Sequence, residues 1–330
     1  MESLSKKALS DTIHTLLPKN VSAGITKQQI VEIQIPKSEY VVNLKKAYVS
    51  VDLQMGAKIS AAVSSSTDYI GILNAACIFD QISLNSGRNV FTDTFSQVNS
   101  RIWQLSKSNN YLQANPASFI NYDDIKSNEN LLLYPVSELK DAVGAIHFRL
   151  KIPLPCLYNC FDECEFFSTT HLNDNVTLSM TLSALNKYMC FVSTDGNRVT
   201  SIKPFESSNT VEFDFGSGKR TVTLIDTEDY YMINAIKLVT PAHYPEADER
   251  ENLDAIIKNG LWYSSYRNCD VQAFKADLNK ANTIGANFST NANNIYGVFM
   301  LSSHNSSYTV FDKPDITICL LSIYSTYKIS

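Results

Sequence analysis

Alternation of apolar and polar residues constrains this chain more than any other feature. In VNLKKAYVSVDLQM, residues 42–55, Ala47, Val49, Val51 and Leu53 occupy every second position. Successive side chains of a β-strand point to opposite faces of its sheet, so this pattern predicts a strand with one buried face. Residues 77–85, CIFDQISLN, alternate in a similar way and end at Ser86-Gly87, which is typical of a tight turn.

Strand patterns dominate the rest of the chain as well. They are rich in β-branched and aromatic residues, and Asn, Gly, Pro, Ser or Asp separate them. The further predicted strands are 27–36, 145–153, 175–185, 187–193, 210–215, 220–226, 230–240, 262–275, 294–302, 306–311 and 315–328. Helices do not alternate regularly with these strands, which argues against a doubly wound parallel sheet. We therefore expect an all-β fold, an antiparallel jelly-roll β-sandwich with a few short helices.

Two amphipathic segments are candidate interaction surfaces. Residues 3–17 carry apolar residues at roughly helical spacing, and Pro18 ends the pattern, which predicts a short helix that needs a docking surface. Because strand 27–36 begins after this proline, we expect the sandwich to fold without residues 1–19. Residues 92–106 show a second helical pattern, and residues 156–167 and 248–258 predict two further short helices. The candidate interaction residues are Leu4, Leu9, Ile13, Leu16, Phe95, Ile102 and Trp103.

The predicted organisation has three parts. Residues 1–26 form an N-terminal arm with the short amphipathic helix, and residues 27–240 form a first jelly roll with long loops. Residues 241–330 form a second, compact or partial, β-sandwich region. The net charge of −5 and the absence of a Lys/Arg-rich arm predict no strong direct binding of nucleic acid.

No motif in the sequence predicts enzyme chemistry. Gly-Ser-Gly-Lys at 216–219 lies between two strand patterns, which favours a hairpin turn over a phosphate-binding loop. Cys156, Cys160 and Cys164 are spaced for one buried helix face rather than for zinc, and the acidic residues of 244–256 suit a helix N-terminus rather than calcium. We predict no catalytic residues, no cofactor and no metal.

The order of several phrases resembles the double jelly-roll major capsid proteins of adintoviruses, polinton-like viruses, virophages and large DNA viruses. Five residues of LNAACIFDQISLNSG match a phrase of that family, and Ile152-Pro153-Leu154 matches its I-P-L. LNDNVTLSMTL at 172–182 and MINAIKLV at 232–239 resemble later strands of the family's first roll. The five matching residues are Asn74, Phe79, Leu84, Asn85 and Gly87.

The resemblance implies a structural capsid protein without chemistry of its own. It implies homotrimeric capsomers in an icosahedral shell, a location in the virion after synthesis in the host cytoplasm or nucleus, and contacts with other capsid proteins. It also implies that the N-terminal segment docks under a neighbouring subunit or against an internal membrane, and the moderately apolar stripe favours docking on protein. Residues 293–330 are shorter than the second roll of most members, so a vertex or minor capsid protein is an alternative. A receptor- or glycan-binding attachment module is another, suggested by Trp262, Tyr263 and Tyr266.

Overall fold

The fold is known from a computed structural model. It describes residues 12–20, 29–72, 75–96, 99–100, 103, 107, 133–170, 174–196, 198–205, 208–227 and 229–259, and every structural statement below concerns these residues. The chain divides into two units, and the second, Asp270–Asn305 with Phe311–Ser330, lies outside the described residues. The strands predicted at 262–275, 294–302, 306–311 and 315–328 also lie outside them.

The described residues include sixteen strands and three α-helices with described bounds, and Ser96, Asn99, Ser100 and Trp103 are also helical. The strands are β1 Thr12–Leu16, β2 Ile30–Ile35, β3 Val41–Val42, β4 Tyr48–Ile59, β5 Asp68–Ile72, β6 Phe79–Ser86, β7 Asn89–Phe95, β8 Leu133–Pro135, β9 Gly144–Pro153, β10 Phe167–Ser168, β11 Val176–Leu182, β12 Met189–Asp195, β13 Arg198–Pro204, β14 Thr210–Asp214, β15 Lys219–Ile225 and β16 Met232–His243. The α-helices are α1 Leu154–Leu157, α2 Leu185–Tyr188 and α3 Ala247–Lys258. Single 3-10 turns occupy Ala75–Ile78, Val136–Glu138 and Asn159–Phe161.

Three antiparallel sheets contain these strands. In the first sheet β4 lies between β9 and β16, and β1 pairs with β16. The end of β4 pairs with β15, which pairs with β14, while β3 joins β16 to β10. The second sheet has the order β2-β11-β6-β7, and the third has the order β13-β12-β5-β8.

The chain crosses repeatedly between the first two sheets. Strand β2 belongs to the second sheet, β4 to the first, β6 to the second, β9 to the first, β11 to the second and β16 to the first. Neighbours such as β4 and β16, or β6 and β11, are therefore distant in sequence, which is how a jelly roll winds. The prediction of an all-β antiparallel sandwich with a few short helices is confirmed.

One continuous hydrophobic cluster lies between the sheets. From β4 it takes Val49, Val51, Leu53 and Met55, all at most 1% exposed, while the alternate residues of this strand from Tyr48 to Gln54 are only partly buried. Strand β2 contributes its alternate residues in the same way. The period-two pattern in the sequence thus marks the core face, as the geometry of a strand requires.

The helix predicted for residues 3–17 is wrong over residues 12–16, which form strand β1. Its residues pair with β16 from Thr12↔Ala242 to Leu16↔Leu238. Three of the five residues of β1, Thr12, Ile13 and Thr15, are β-branched and favour a strand. A free backbone edge on β16 supplies the hydrogen bonds that a short isolated helix would have to make alone.

Two other boundaries differ from the prediction. The strand predicted at 77–85 starts only at Phe79, because Ala75–Ile78 form a 3-10 turn whose four residues are all buried. The helix predicted at 92–106 is wrong over residues 92–95, which belong to β7, but Ser96, Asn99, Ser100 and Trp103 are helical as predicted. The predicted helix at 156–167 is not one helix, because this range contains only the end of α1 and a separate 3-10 turn. The helix predicted at 248–258 is confirmed as α3.

Candidate interaction surfaces

The N-terminal strap, which we define as residues 12–20, connects the edges of two sheets. Its first part is β1, paired with β16 of the first sheet. Its second part follows β2 of the second sheet, where Pro18 bridges to Ile33 and the amide of Lys19 donates to the carbonyl of Glu32 at 2.8 Å. The strap therefore covers one open side of the sandwich.

The side chain of Asn20 completes this pairing. Its Nδ2 donates to the carbonyl of Ile30 at 2.8 Å, and its Oδ1 accepts from the amide of Glu32 at 2.9 Å. A primary amide presents one donor side and one acceptor, so Asn20 takes the place of a peptide unit on the edge of β2. No sequence pattern around Asn20 predicts this role.

The strap presents apolar side chains to solvent. Ile13 is 70% exposed and Leu17 is 68% exposed, whereas Leu16 packs against the core. The ring of His14 contacts that of Tyr40, with centroids 4.2 Å apart. Of the candidate residues in this segment, Ile13 is thus available for contact and Leu16 supports the fold, while Leu4 and Leu9 lie outside the described residues.

The second candidate segment packs against its own chain. Trp103 is only 1% exposed and belongs to the core cluster, so it is not a surface residue. Nearby, the hydroxyl of Ser96 donates to the carbonyl of Phe79, and Nδ2 of Asn99 donates to the carbonyl of Leu157 at 2.7 Å. Phe95 ends β7, but its side chain lies outside the described residues, as does Ile102.

A polar cluster anchors helix α3. The hydroxyl of Tyr244 donates to Glu39 at 2.7 Å, and Arg250 pairs with the same carboxylate oxygen at 2.9 Å. The Tyr244 hydrogen bond, followed by the charge of Arg250, lowers the pKa of Glu39 from its ordinary value. Glu249 accepts from the amide of Glu246 at 3.2 Å, as in a capping box, and lies 3.0 Å from His243.

The outer face of the first sheet carries a row of basic side chains. Along β9 the exposed alternate residues include His147, Arg149 and Lys151. In the strand register, Ser50 of β4 lies opposite Lys151 of β9 on one side and opposite Lys237 of β16 on the other. One lysine therefore flanks this serine on each side. We call Arg149, Lys151 and Lys237 the basic face. The distribution of charge along the sequence does not predict this face, because it holds no information on the register between strands.

The described side chains offer no obvious reactive group. Burial raises the pKa of Cys156 to about 12, and its hydrogen bond to Ser100 offsets only part of that effect. The Gly-Ser-Gly-Lys phrase is a hairpin loop between β14 and β15, closed by Phe215 donating to Gly218 at 3.1 Å. Within the described part of the chain no group of His, Cys, Asp or Glu is arranged to hold a metal. No helix in that part is long and apolar enough to cross a membrane.

Comparison with solved structures finds viral capsid proteins. The Faustovirus major capsid protein is 12% identical, with a TM-score of 0.41 over 76% of this chain and 56% of that one. The mavirus major capsid protein is 14% identical, with a TM-score of 0.43 over 72% of this chain and 47% of that one. The Sputnik virophage structure is 9% identical, with a TM-score of 0.36 over 72% and 48%. This chain spans about half the length of these structures. No protein-family model and no curated protein matches the sequence.

Proposed function

We propose that this chain is a structural protein of a viral capsid. In this proposal it is a subunit of an icosahedral shell, assembles with itself as homotrimeric capsomers, and resides in the virion. It has no catalytic role. Its partners are other copies of itself and other capsid proteins.

The observation that carries the proposal is where the capsid-like phrases fall in the fold. Phe79, Leu84 and Asn85 lie on β6 and Gly87 on the turn that follows it. The I-P-L phrase joins the end of β9 to α1, LNDNVTLSMTL contains β11, and MINAIKLV opens β16. Each phrase that resembles the capsid family thus lies on, or at the end of, a strand of a sandwich with jelly-roll winding.

The strap supports assembly with protein neighbours. Ile13 and Leu17 keep most of their surface in solvent although the strap is paired along its backbone. Burying them against a neighbouring subunit would remove that apolar area from water. Two such side chains on a strand offer too little apolar area for firm membrane binding, so docking on protein is favoured over docking on an internal membrane.

A vertex or minor capsid protein would also be a capsid subunit, so these alternatives fall within the proposed class. The attachment-module alternative rests on Trp262, Tyr263 and Tyr266, which lie outside the described residues. Electron microscopy of the purified chain separates these classes. Regular trimers or shells are expected, whereas dispersed monomers that bind a glycan array would overturn the capsid proposal.

A further inference from the structure

No ion pair within the described residues neutralises the basic face. Arg149 and Lys151 are exposed and Lys237 is half-buried, and none of the three has an ion pair in the described part of the chain. Lys151 only lies over the ring of Tyr48, 5.5 Å from its centroid. Asp52, opposite Arg149 on β4, is the one acidic residue in these register rows. A protein with a net charge of −5 therefore carries a local excess of positive charge on one sheet face.

The complementary feature is helix α3. Two of its charged residues are used within the chain, since Glu249 contacts His243 and Arg250 pairs with Glu39. Asp248 and Glu251 are exposed, lie three residues apart on one side of the helix, and have no ion pair in the described residues. Glu246, just before the helix, is also exposed. We call Asp248 and Glu251 the acidic face.

We propose that the basic face of one copy binds the acidic face of α3 on a second copy. This inference rests on the proposed function and names the contact that builds its capsomer. The two faces are different surfaces of the same chain, so each copy uses one face toward one neighbour and the other face toward the next. Such a head-to-tail contact closes into a ring when its rotation permits, and a trimer is the smallest ring beyond a dimer.

Charge complementarity favours this occupant over nucleic acid. Three cations make few phosphate contacts, too few for strong binding of nucleic acid. A helix that presents two carboxylates can instead offer one to each of the lysines that flank Ser50, without placing a carboxylate against Asp52. Opposed charges of this kind steer association and fix the register between partners.

A charge-swap experiment on the full chain tests the inference. The basic-face variant is R149E/K151E, the acidic-face variant is D248K/E251K, and the swap variant carries all four changes. The control K46E/K203E alters two exposed lysines elsewhere and changes the net charge as the basic-face variant does. Sedimentation velocity over a range of protein and salt concentrations gives the midpoint of dissociation for each protein.

Each single-face variant is expected to dissociate at a concentration at least about tenfold higher than the unmodified chain. The swap variant is expected to regain most of the loss, and the control to behave as the unmodified chain. Single-face variants that assemble normally, or a swap variant as weak as they are, would overturn the inference and leave the capsid proposal standing. Loss of DNA binding in R149E/K151E without rescue by the swap would assign the face to nucleic acid and also overturn it. An unmodified chain that stays monomeric would contradict the proposed function itself.

Discussion

The hydroxyl of Tyr158 lies 3.1 Å from the carbonyl oxygen of Ser179 on β11. The same hydroxyl lies 3.2 Å from the carbonyl of Ser83, the residue that faces Ser179 across the β6–β11 pair. Tyr158 follows α1, which continues directly from β9 of the first sheet, and its side chain is fully buried. This tyrosine therefore links the end of one sheet to the middle of the other.

Replacing Tyr158 with Phe removes only this hydroxyl. We expect the free energy of unfolding to fall by about 1–2 kcal/mol, because a buried hydrogen bond is lost without a change in packing. Urea unfolding followed by fluorescence measures the change. Tyr230→Phe is the matched control, since Tyr230 is partly exposed and should give a change near zero. Equal effects of the two substitutions would show that the Tyr158 contact does not stabilise the sandwich.

Two residues of β1 are expected to have different roles, one in the stability of the fold and one in assembly. Leu16→Ala should lower the free energy of unfolding by about 1–2 kcal/mol, because Leu16 packs on the core beside Leu238. Ile13→Ala should leave unfolding nearly unchanged, because Ile13 is 70% exposed, and should weaken assembly. Thermal melts measure the change in stability, and light scattering measures the change in assembly. If Ile13→Ala unfolded the chain as readily as Leu16→Ala, the assignment of these two faces would be wrong.

Gly87 is needed both for its positive φ and for the space that its missing Cβ leaves. A comparison with Gly196 separates these two effects. Its φ is 57°, and a Cβ there would collide with the carboxylate of Asp174. Gly196 has a φ of 61° but open space around it. We expect Gly196→Ala to cost about 1–2 kcal/mol from backbone strain alone, and Gly87→Ala to cost more.

Adding Asp174→Ala to Gly87→Ala should restore only the free energy of unfolding that is lost through the collision with the Asp174 carboxylate. The loss from backbone strain should remain. Chemical denaturation of the single and double variants measures this difference. A Gly87→Ala loss no larger than that of Gly196→Ala would mean that the Asp174 side chain simply moves aside.

Buried tyrosines should make the fold sensitive to alkali. The hydroxyl of Tyr188 donates to that of Tyr231 at 3.3 Å, and burial raises the pKa of both, that of Tyr231 to about 12. The protonated forms are favoured in the folded state. Stability from this pair is therefore complete below the ordinary tyrosine pKa of 10.0 and is lost as pH rises through the folded values.

Urea midpoints measured between neutral pH and about pH 11 should fall above pH 10, and less steeply in Tyr188→Phe. Tyr230→Phe is the control, because Tyr230 is 36% exposed. A decline of the same slope in Tyr188→Phe and in the unmodified chain would assign the alkaline sensitivity to other groups.

Much of the fold could be predicted from the sequence because its main strands have one buried face. The period-two patterns of β2, β4 and β11 follow that burial, and the hairpin at Gly216 follows from its glycines. Strand β5 was missed because three of its five residues, including Gly71, are buried without alternation. Strand β13, RVTSIKP, was missed because it carries little apolar material.

The interaction surfaces were harder to predict, since they depend on contacts between distant residues. The spacing of Leu4, Leu9, Ile13 and Leu16 suits a helix when the segment is considered alone, but the edge of β16 decides the outcome for residues 12–16. An apolar residue such as Trp103 can lie either in an interface or in the core. The structure places it in the core, where its own chain buries it. The basic face exists only once β9, β4 and β16 are in register.

The mass of the purified chain in solution tests the capsid proposal most directly. One chain has a mass of 36.9 kDa, so a homotrimeric capsomer has a mass of about 111 kDa. We expect light scattering coupled to size-exclusion chromatography to give this mass, or larger assemblies as concentration rises. A constant mass of one chain at every concentration would contradict the proposal that this protein builds a shell.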